Sequence, residues 1–347
     1  MHDNSIGTIP QGLRQPLLTV FDTAASSRNL GDQIIMDAVR NQLRLCAPEA
    51  FCVTIPTHDF VGKEGRALFE ESAAAVVGGT NLLSSAVKQY NQWKVSWRDT
   101  LWLKNVILLG VGWWQYQGQP DFWTRTFLRR VLHHDFPHSL RDGYTLNQLG
   151  QAGFANAMNT SCVTLWEFDQ ERQSAIPSMR AESVVTTLTD YKPAPADDRA
   201  LLELLKARYA KVYLWLQGSR DHAYLERLEM QGIEVVGPQL SAYDDLLSSS
   251  LSLDYVGTRL HAGIRAMKHA RRSIIIGVDN RAMEIGADVG LNVFQRGNAM
   301  DRLAELIDSD LATRLNLPWH NIAAWRAALR KELGLSATVP AIAPPSP

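Results

Sequence analysis

The residues whose types and spacing could do chemistry stand together at Thr258-Arg-Leu-His261. There a short apolar run, Leu253 to Val256, breaks at Gly257 and resumes as an alanine-rich helical pattern. The run reads as the end of a buried strand. Ala262, Ala266 and Met267 fall at helical spacing behind Thr258, a good N-cap. Arg259 and His261 then occupy the first helical turn, where the positive end of the helix dipole already lies. Cations there are unfavourable for an isolated helix. They are favourable for an anion arriving from outside, which free backbone N–H groups and a guanidinium bind together. The local pattern leaves a plainer arrangement open, with Arg259 paired to a neighbouring carboxylate and His261 packed in the core.

Stepping outward, the elements that must position these residues alternate as strand, loop and helix. Leu17 to Phe21 is an apolar strand, followed by a polar loop holding Asn29, Gly31 and Asp32 and then the helical pattern Ile34, Ile35, Ala38, Val39, Leu43. Ligands of such folds gather at loops beyond strand C-termini, although Asp32 as a helix cap explains this loop equally well. Strands are also expected at Phe51 to Ile55, Ala73 to Val77 and Asn105 to Leu109. The third runs into Gly78-Gly-Thr-Asn81 and the fourth into Gly110-Val-Gly-Trp-Trp114. Glycines there let the backbone approach a ligand closely. Trp113 and Trp114 read either as a stacking surface for a sugar or as core. Arg141 and Asp142 sit past a short strand and before a helix, as a second arginine at a strand end or as an internal cap. Beyond a polar stretch at 167–182, strands at Val184 to Leu188, Val212 to Leu216, Ile233 to Val236, Leu253 to Val256 and Arg272 to Ile276 alternate with helices, among them Met300 to Leu306. An amphipathic helix runs from Trp319 to Leu333. The pattern predicts domains at 1–175 and 176–335, the final helix crossing back, with a disordered proline-rich tail at 336–347.

Composition narrows the class of protein. With 347 residues, 46% hydrophobic and 20% charged, the chain has the make-up of a two-domain globular protein. A net charge of -1 argues against a nucleic-acid partner. No signal-peptide pattern and no apolar run of about 20 residues is present, so a cytoplasmic location is expected, compatible with peripheral membrane contact. Cys46, Cys52 and Cys162 lack metal spacing and read as buried reduced thiols. No metal cluster is expected; Asp244-Asp245 reads as a solvated helix face.

In combination these signals resemble the polysaccharide pyruvyl transferase family. The matching pieces are Asn29-Leu-Gly-Asp32, Gly78-Gly-Thr-Asn-Leu-Leu83, Leu109-Gly-Val-Gly112, Ser139-Leu-Arg-Asp142, Thr160-Ser-Cys-Val-Thr-Leu-Trp166 and Gly257-Thr-Arg-Leu-His-Ala262. The chain departs from the family pattern at Thr80, where a third glycine is usual, at Arg281, where a lysine is common, and at Val163, where the family has proline. The resemblance implies two Rossmann-like domains in a GT-B-like arrangement with an interdomain cleft, acceptor on the first and donor on the second. It also implies transfer of the pyruvyl group of phosphoenolpyruvate to two hydroxyls of a saccharide, a lipid-linked one included, as a cyclic ketal and without a cofactor. Arg259 and His261 carry over as donor-binding and catalytic residues, and Asp32 is the candidate for activating the sugar hydroxyl, with Glu284 and Asp254 as alternatives. Arg141 is expected to clamp the donor's second anionic group from the opposite domain. Thr258, Leu260, Asn29, Gly31, Gly78, Gly79, Asn81 and Arg281 complete the expected substrate-binding set. Protonation of the enol carbon by His261, or by another acid with His261 holding phosphate, would make the central carbon electrophilic. A GT-B glycosyltransferase with a nucleotide-sugar donor is the rival reading, in which Asp279, Glu284 or Asp288 would take the ribose.

Overall fold

The computed structural model describes residues 15–297 and 302–336, which fall into two compact units. The stretch read above for a signal sequence, Met300 at the start of an expected helix, and the tail from 337 lie outside the described residues. The first unit takes the described residues up to Ser26, Met36–Val163 and those from Pro318 onward. The second takes Ser27–Ile35 and Thr164–Leu317.

In the first unit, strands β1 (Leu17–Asp22), β2 (Phe51–Pro56), β3 (Ala74–Gly78) and β4 (Val106–Leu109) form a parallel sheet in the order β2-β1-β3-β4. Leu18 stands opposite Cys52 on one side and Ala74 on the other. Continuous apolar runs such as Val-Ile-Leu-Leu in β4 suit strands covered on both faces. A short parallel pair, β5 (Ser139–Leu140) and β6 (Met158–Asn159), carries on beside β4, with Gly110 N–H donating to Ser139 O at 3.0 Å. Helices α1 (Leu30–Cys46), α2 (Lys63–Glu71), α3 (Phe122–Val131) and α4 (Gly143–Gln151) connect the strands. Asp121 and Asp142 start α3 and α4 as side-chain caps, accepting from Thr124 N and Thr145 N. The order of the sheet reverses between β1 and β3, so the loops after these two strands lie where a doubly wound sheet takes ligands.

The second unit opens with a short helix, α5 (Gln170–Ser174), inside the stretch that the sequence reads only as polar. Its six-stranded parallel sheet has the order β12-β11-β10-β7-β8-β9. The strands are β7 (Ser183–Thr186), β8 (Lys211–Trp215), β9 (Glu234–Val236), β10 (Leu253–Gly257), β11 (Ser273–Gly277) and β12 (Val293–Gln295). Helices α6 (Pro195–Arg208), α7 (Asp221–Leu228), α8 (Leu240–Leu247), α9 (Leu260–Lys268), α10 (Asn280–Val289) and α11 (Leu303–Asp308) follow in turn. This is the dinucleotide-fold order, with its switch point between β7 and β10. Val184, Leu214, Val256, Ile274 and Ile276 fill the core around it. Low in the sheet, Arg272 is buried against Asp254 at 3.2 Å and three backbone carbonyls. Tyr209 and Ala181 N–H also donate to Asp254, so this carboxylate has structural partners on three sides.

Helix α12 (Trp319–Glu332) packs within the first unit. Trp325 Nε1 donates to Leu108 O at 3.2 Å, and Arg330 is buried against Glu49 and Cys46 O. None of the three cysteines forms a disulfide; Cys46 and Cys162 are buried, whereas Cys52 is exposed because β2 is an edge strand. Asp244 is no solvated face. It pairs with Arg265 at 2.6 Å and with His269, and although partial burial opposes ionisation, these partners hold its carboxyl down at about 2.

Candidate functional site

Arg259 follows β10 directly, and its backbone is fixed before its side chain is. Tyr255, fully buried in β10, donates its hydroxyl to Arg259 O at 2.7 Å and accepts from Arg259 N at 3.2 Å. The guanidinium then crosses the switch point to the loop after β7. Nε donates to Leu188 O at 2.7 Å, and Nη2 donates to Asp190 Oδ1 at 2.8 Å and Asp221 Oδ1 at 2.6 Å. Nη1 makes no hydrogen bond among the described residues. Asp221, the first residue of α7, also accepts from the Gln217 and Gly218 N–H groups at 3.0 and 2.7 Å. Burial raises its carboxyl above the ordinary range, against the pull of Arg259 and the Gly218 N–H. Gly218 is required here: a Cβ would stand 2.7 Å from Arg259 Nη2 and 2.9 Å from Asp221 Oδ1.

Around Arg259 lies a shallow recess, lined further by Tyr191, Thr258, Leu260, His261, Asp279 and Arg281. Thr258 is not the helix cap. Its hydroxyl donates to Thr187 O at 3.1 Å and bonds Thr189 Oγ1 at 2.8 Å, so the cap position passes to Arg259 and no side chain caps α9. His261 and Leu260 open α9 and are both buried. Arg281, second in α10, donates to Asp279 at 2.7 Å and to the Tyr191 hydroxyl at 2.9 Å. Burial works against its charge, yet Asp279, Tyr191 and Asp32 hold its pKa above the ordinary arginine value. The Tyr191 ring is also 5.0 Å from the Arg259 guanidinium carbon.

The Asn29 loop reaches the same recess. Asn29 accepts from Gln217 Nε2 at 2.7 Å, Leu30 N–H donates to Gln217 O, and Ser219 N–H donates to Arg28 O. Gly31 makes room for this approach, since a Cβ there would stand 2.8 Å from the Gln217 amide nitrogen. Gln217 is buried and its Oε1 has no hydrogen-bond partner among the described residues. Asp32, in the first turn of α1, accepts from Ser27 Oγ at 2.5 Å.

The first unit holds the other expected residues. Arg141, 1% exposed, donates to Asn81 Oδ1 and, at 3.3 Å, to Asp142. Its guanidinium lies flat on Gly112, where a Cβ would overlap it. Gly79 and Thr80 are both left-handed, at φ 55° and 56°, and Gly112 N–H donates to Thr80 O at 2.9 Å. Gly78 serves packing instead, because a Cβ there would meet Val39 of α1 at 2.8 Å. Trp113 is core, its Nε1 donating to Ser85 Oγ and Gln117 Oε1 at 3.1 Å, while Trp114 stacks on Tyr90 at 3.8 Å. Among the described residues no group of three or more His, Cys, Asp or Glu could hold a metal ion.

The sequence model for polysaccharide pyruvyl transferases matches residues 29–280, well over half of the chain. The chain belongs to that family. Among curated proteins no sequence matches it. As a pyruvyl transferase family member it has the GT-B fold, and solved structures agree. It superposes on the Methanocaldococcus jannaschii UDP-GlcNAc 2-epimerase with a TM-score of 0.53 at 11% identity, over 91% of this chain and 98% of that one. The S. aureus MnaA–UDP structure gives 0.56 at 10% identity, over 94% and 99%. At this identity the likeness is one of fold alone.

The structure places Arg259, Leu260 and His261 at a switch point, with Asn29 and Arg281 at the same recess. The pairing of Arg259 with a carboxylate, left open by the sequence, is what the structure shows, but the sequence does not tell which carboxylates take part. Asp190 and Gln217 lie in the loops after β7 and β8, and Asp221, which opens α7, carries only a weak signal, an acidic residue at a helix start behind Gly218.

Proposed function

We propose that the chain transfers the pyruvyl group of phosphoenolpyruvate to two hydroxyls of a saccharide in polysaccharide biosynthesis, with the donor held in the recess of the second unit. The observation supporting this most is Arg259. It is buried at a switch point, three of its contacts fix the fork, and among the described residues Nη1 has no hydrogen-bond partner, beside the uncapped start of α9. That is a pre-oriented cation with N–H groups at its side, suited to a phosphate. Arg281, kept charged by Asp279 and Asp32, takes the donor carboxylate. His261 adds a proton to the methylene carbon of the enol, and the first sugar hydroxyl bonds to the central carbon, losing its own proton to Asp32. The carbon–oxygen bond to phosphate then breaks, inorganic phosphate leaves, and the second hydroxyl closes the ketal with loss of its proton. We assign the saccharide to the first-unit loops around Gly79, Asn81 and Arg141. The reaction so written asks for no cofactor and fits the cytoplasm, where phosphoenolpyruvate is made.

A nucleotide-sugar donor is the second reading, favoured by Asp279, a recess carboxylate placed to accept from ribose hydroxyls, and by the UDP-GlcNAc and UDP held by the M. jannaschii epimerase. Thermal-shift titration separates the two. Phosphoenolpyruvate should raise the melting temperature of the wild type and leave Arg259→Ala unmoved, with phosphate release on adding acceptor. Stabilisation by UDP-sugars alone would overturn the first reading.

A further inference from the structure

One face of the first unit combines exposed apolar side chains with a concentration of positive charge. Leu101, in the helical turn Asp99–Leu101, is 73% exposed, Phe122 63% and Trp123 46%. They are neighbours. The turn packs on α3, Phe122 and Trp123 have ring centroids 5.6 Å apart, and Trp123 meets Trp97 edge-on at 5.8 Å. Isolated exposed apolar residues need no explanation, but a contiguous group of large ones marks an interaction site.

Charge identifies what this face meets. From Lys88 to Arg130 the sequence has seven lysines and arginines against two aspartates, in a chain of net charge -1. Lys88, Arg98, Lys104, Arg129 and Arg130 are exposed. Both aspartates are engaged locally: Asp121 caps α3 through Thr124 N at 2.6 Å, and Asp99 accepts from Ser96 N at 2.7 Å. Adjoining α2 brings Arg66 over Trp102 and its own partner Glu70. Exposed cations in the same segment as protruding Leu, Phe and Trp, with Lys88 on the Trp123 ring itself, are the composition that suits the headgroup region of a bilayer, where apolar ends enter and long basic side chains reach phosphates.

We propose that this face docks the first unit on an anionic lipid bilayer, with Leu101, Phe122 and Trp123 entering the boundary between headgroups and acyl chains. A saccharide fits less well. Stacking needs an open ring face, and one face of Trp123 is covered by Lys88 Nζ at 3.3 Å. A protein partner would use the aromatics and arginines but not the exposed lysines, Lys88 and Lys104, a residue type depleted at protein interfaces. The proposal stands apart from the donor reading, since neither phosphoenolpyruvate nor a saccharide enters its test.

The full chain is sedimented with vesicles of phosphatidylcholine alone and with vesicles containing one-third phosphatidylglycerol, at about 0.05 and 0.5 M salt. Partitioning to the anionic vesicles should be at least about tenfold stronger and should fall at high salt. The triple variant Leu101→Ser, Phe122→Ser, Trp123→Ser and the double variant Lys104→Glu, Arg130→Glu should each lose roughly tenfold or more. Their melting curves should stay at the wild-type position, since the substituted side chains are exposed. Quenching of tryptophan fluorescence by brominated lipid should weaken in Trp123→Phe. Equal binding to neutral vesicles, no binding, wild-type binding by the triple variant, binding of a soluble anionic polysaccharide instead of vesicles, or self-association through this face would each overturn it.

Discussion

Arg259 and Arg141 are buried arginines just past the end of a parallel strand, one in each unit, and they are held in opposite ways. Arg259 is held by charge, with two carboxylates on Nη2 and a carbonyl on Nε, and Gly218 left small so that all can meet. Arg141 is held by shape, with its plane against Gly112, an amide oxygen at Asn81 and a neighbouring carboxylate that also caps α4. Two acids facing one guanidinium aim it in a dry setting, and a ligand must then compete with them for it. An arginine held by shape keeps its position when a partner is removed, but not when its floor is raised.

The largest expected effect is at the charge-held arginine. Arg259→Ala leaves Asp221 buried without its cation and should cost about 3–5 kcal/mol in chemical denaturation. Pyruvyl transfer by the fraction still folded should fall on the order of a thousandfold. Arg259→Lys restores the charge without the fork and should recover little activity. Equal losses for Arg141→Ala and Arg259→Ala in both measurements would erase the contrast.

Next in size is the floor under Arg141. Gly112→Ala forces the guanidinium aside and should cost about 1–3 kcal/mol. Removing the neutral partner by Asn81→Ala should cost less, about 1 kcal/mol. The reverse order would mean that Arg141 too is held by its partners.

Acid distinguishes the units again. His138 is fully buried in the first unit, accepting from Leu108 N–H at Nδ1 while Nε2 bonds His133 O, so only the neutral ring satisfies both. Burial pushes its pKa from 6.5 down to about 3. Below 6.5 the unfolded chain takes up a proton that the folded chain refuses until about 3, so stability falls as pH drops through that window. Hydrogen exchange at pH 7 and pH 5 should show earlier opening around Leu108 than around Val256, and a folded His138→Gln variant should flatten that difference.

The smallest effect concerns Thr80, a β-branched residue in the left-handed region. Thr80→Gly should stabilise the first unit by about 1 kcal/mol, read as a raised melting temperature.

Much of the fold was legible because buried parallel strands leave continuous apolar runs. β1, β3, β4, β8, β10 and β11 lie within about a residue of where the pattern predicts them. The three-residue β12, ending in a glutamine and only partly buried, left no such run. At the site, Arg259 and His261 stood out as cations where a helix start disfavours them. Their partners did not, since the sheet order joins Arg259 to Asp190 and Asp221, 69 and 38 residues away, and no local spacing encodes that order. Thr258 was misread as a cap because propensity alone could not foresee Thr187 and Thr189 claiming its hydroxyl.

Helix α12 has one more consequence, in time. Trp325 closes over β4, and Arg330 over the end of α1, from a position more than two hundred residues later in the chain. On the ribosome the second unit is therefore complete before the first can finish. Until residues 319–332 emerge, the nascent first unit keeps the apolar surface meant for Trp325 uncovered, and a stop codon just before Trp319 would strand it in that state.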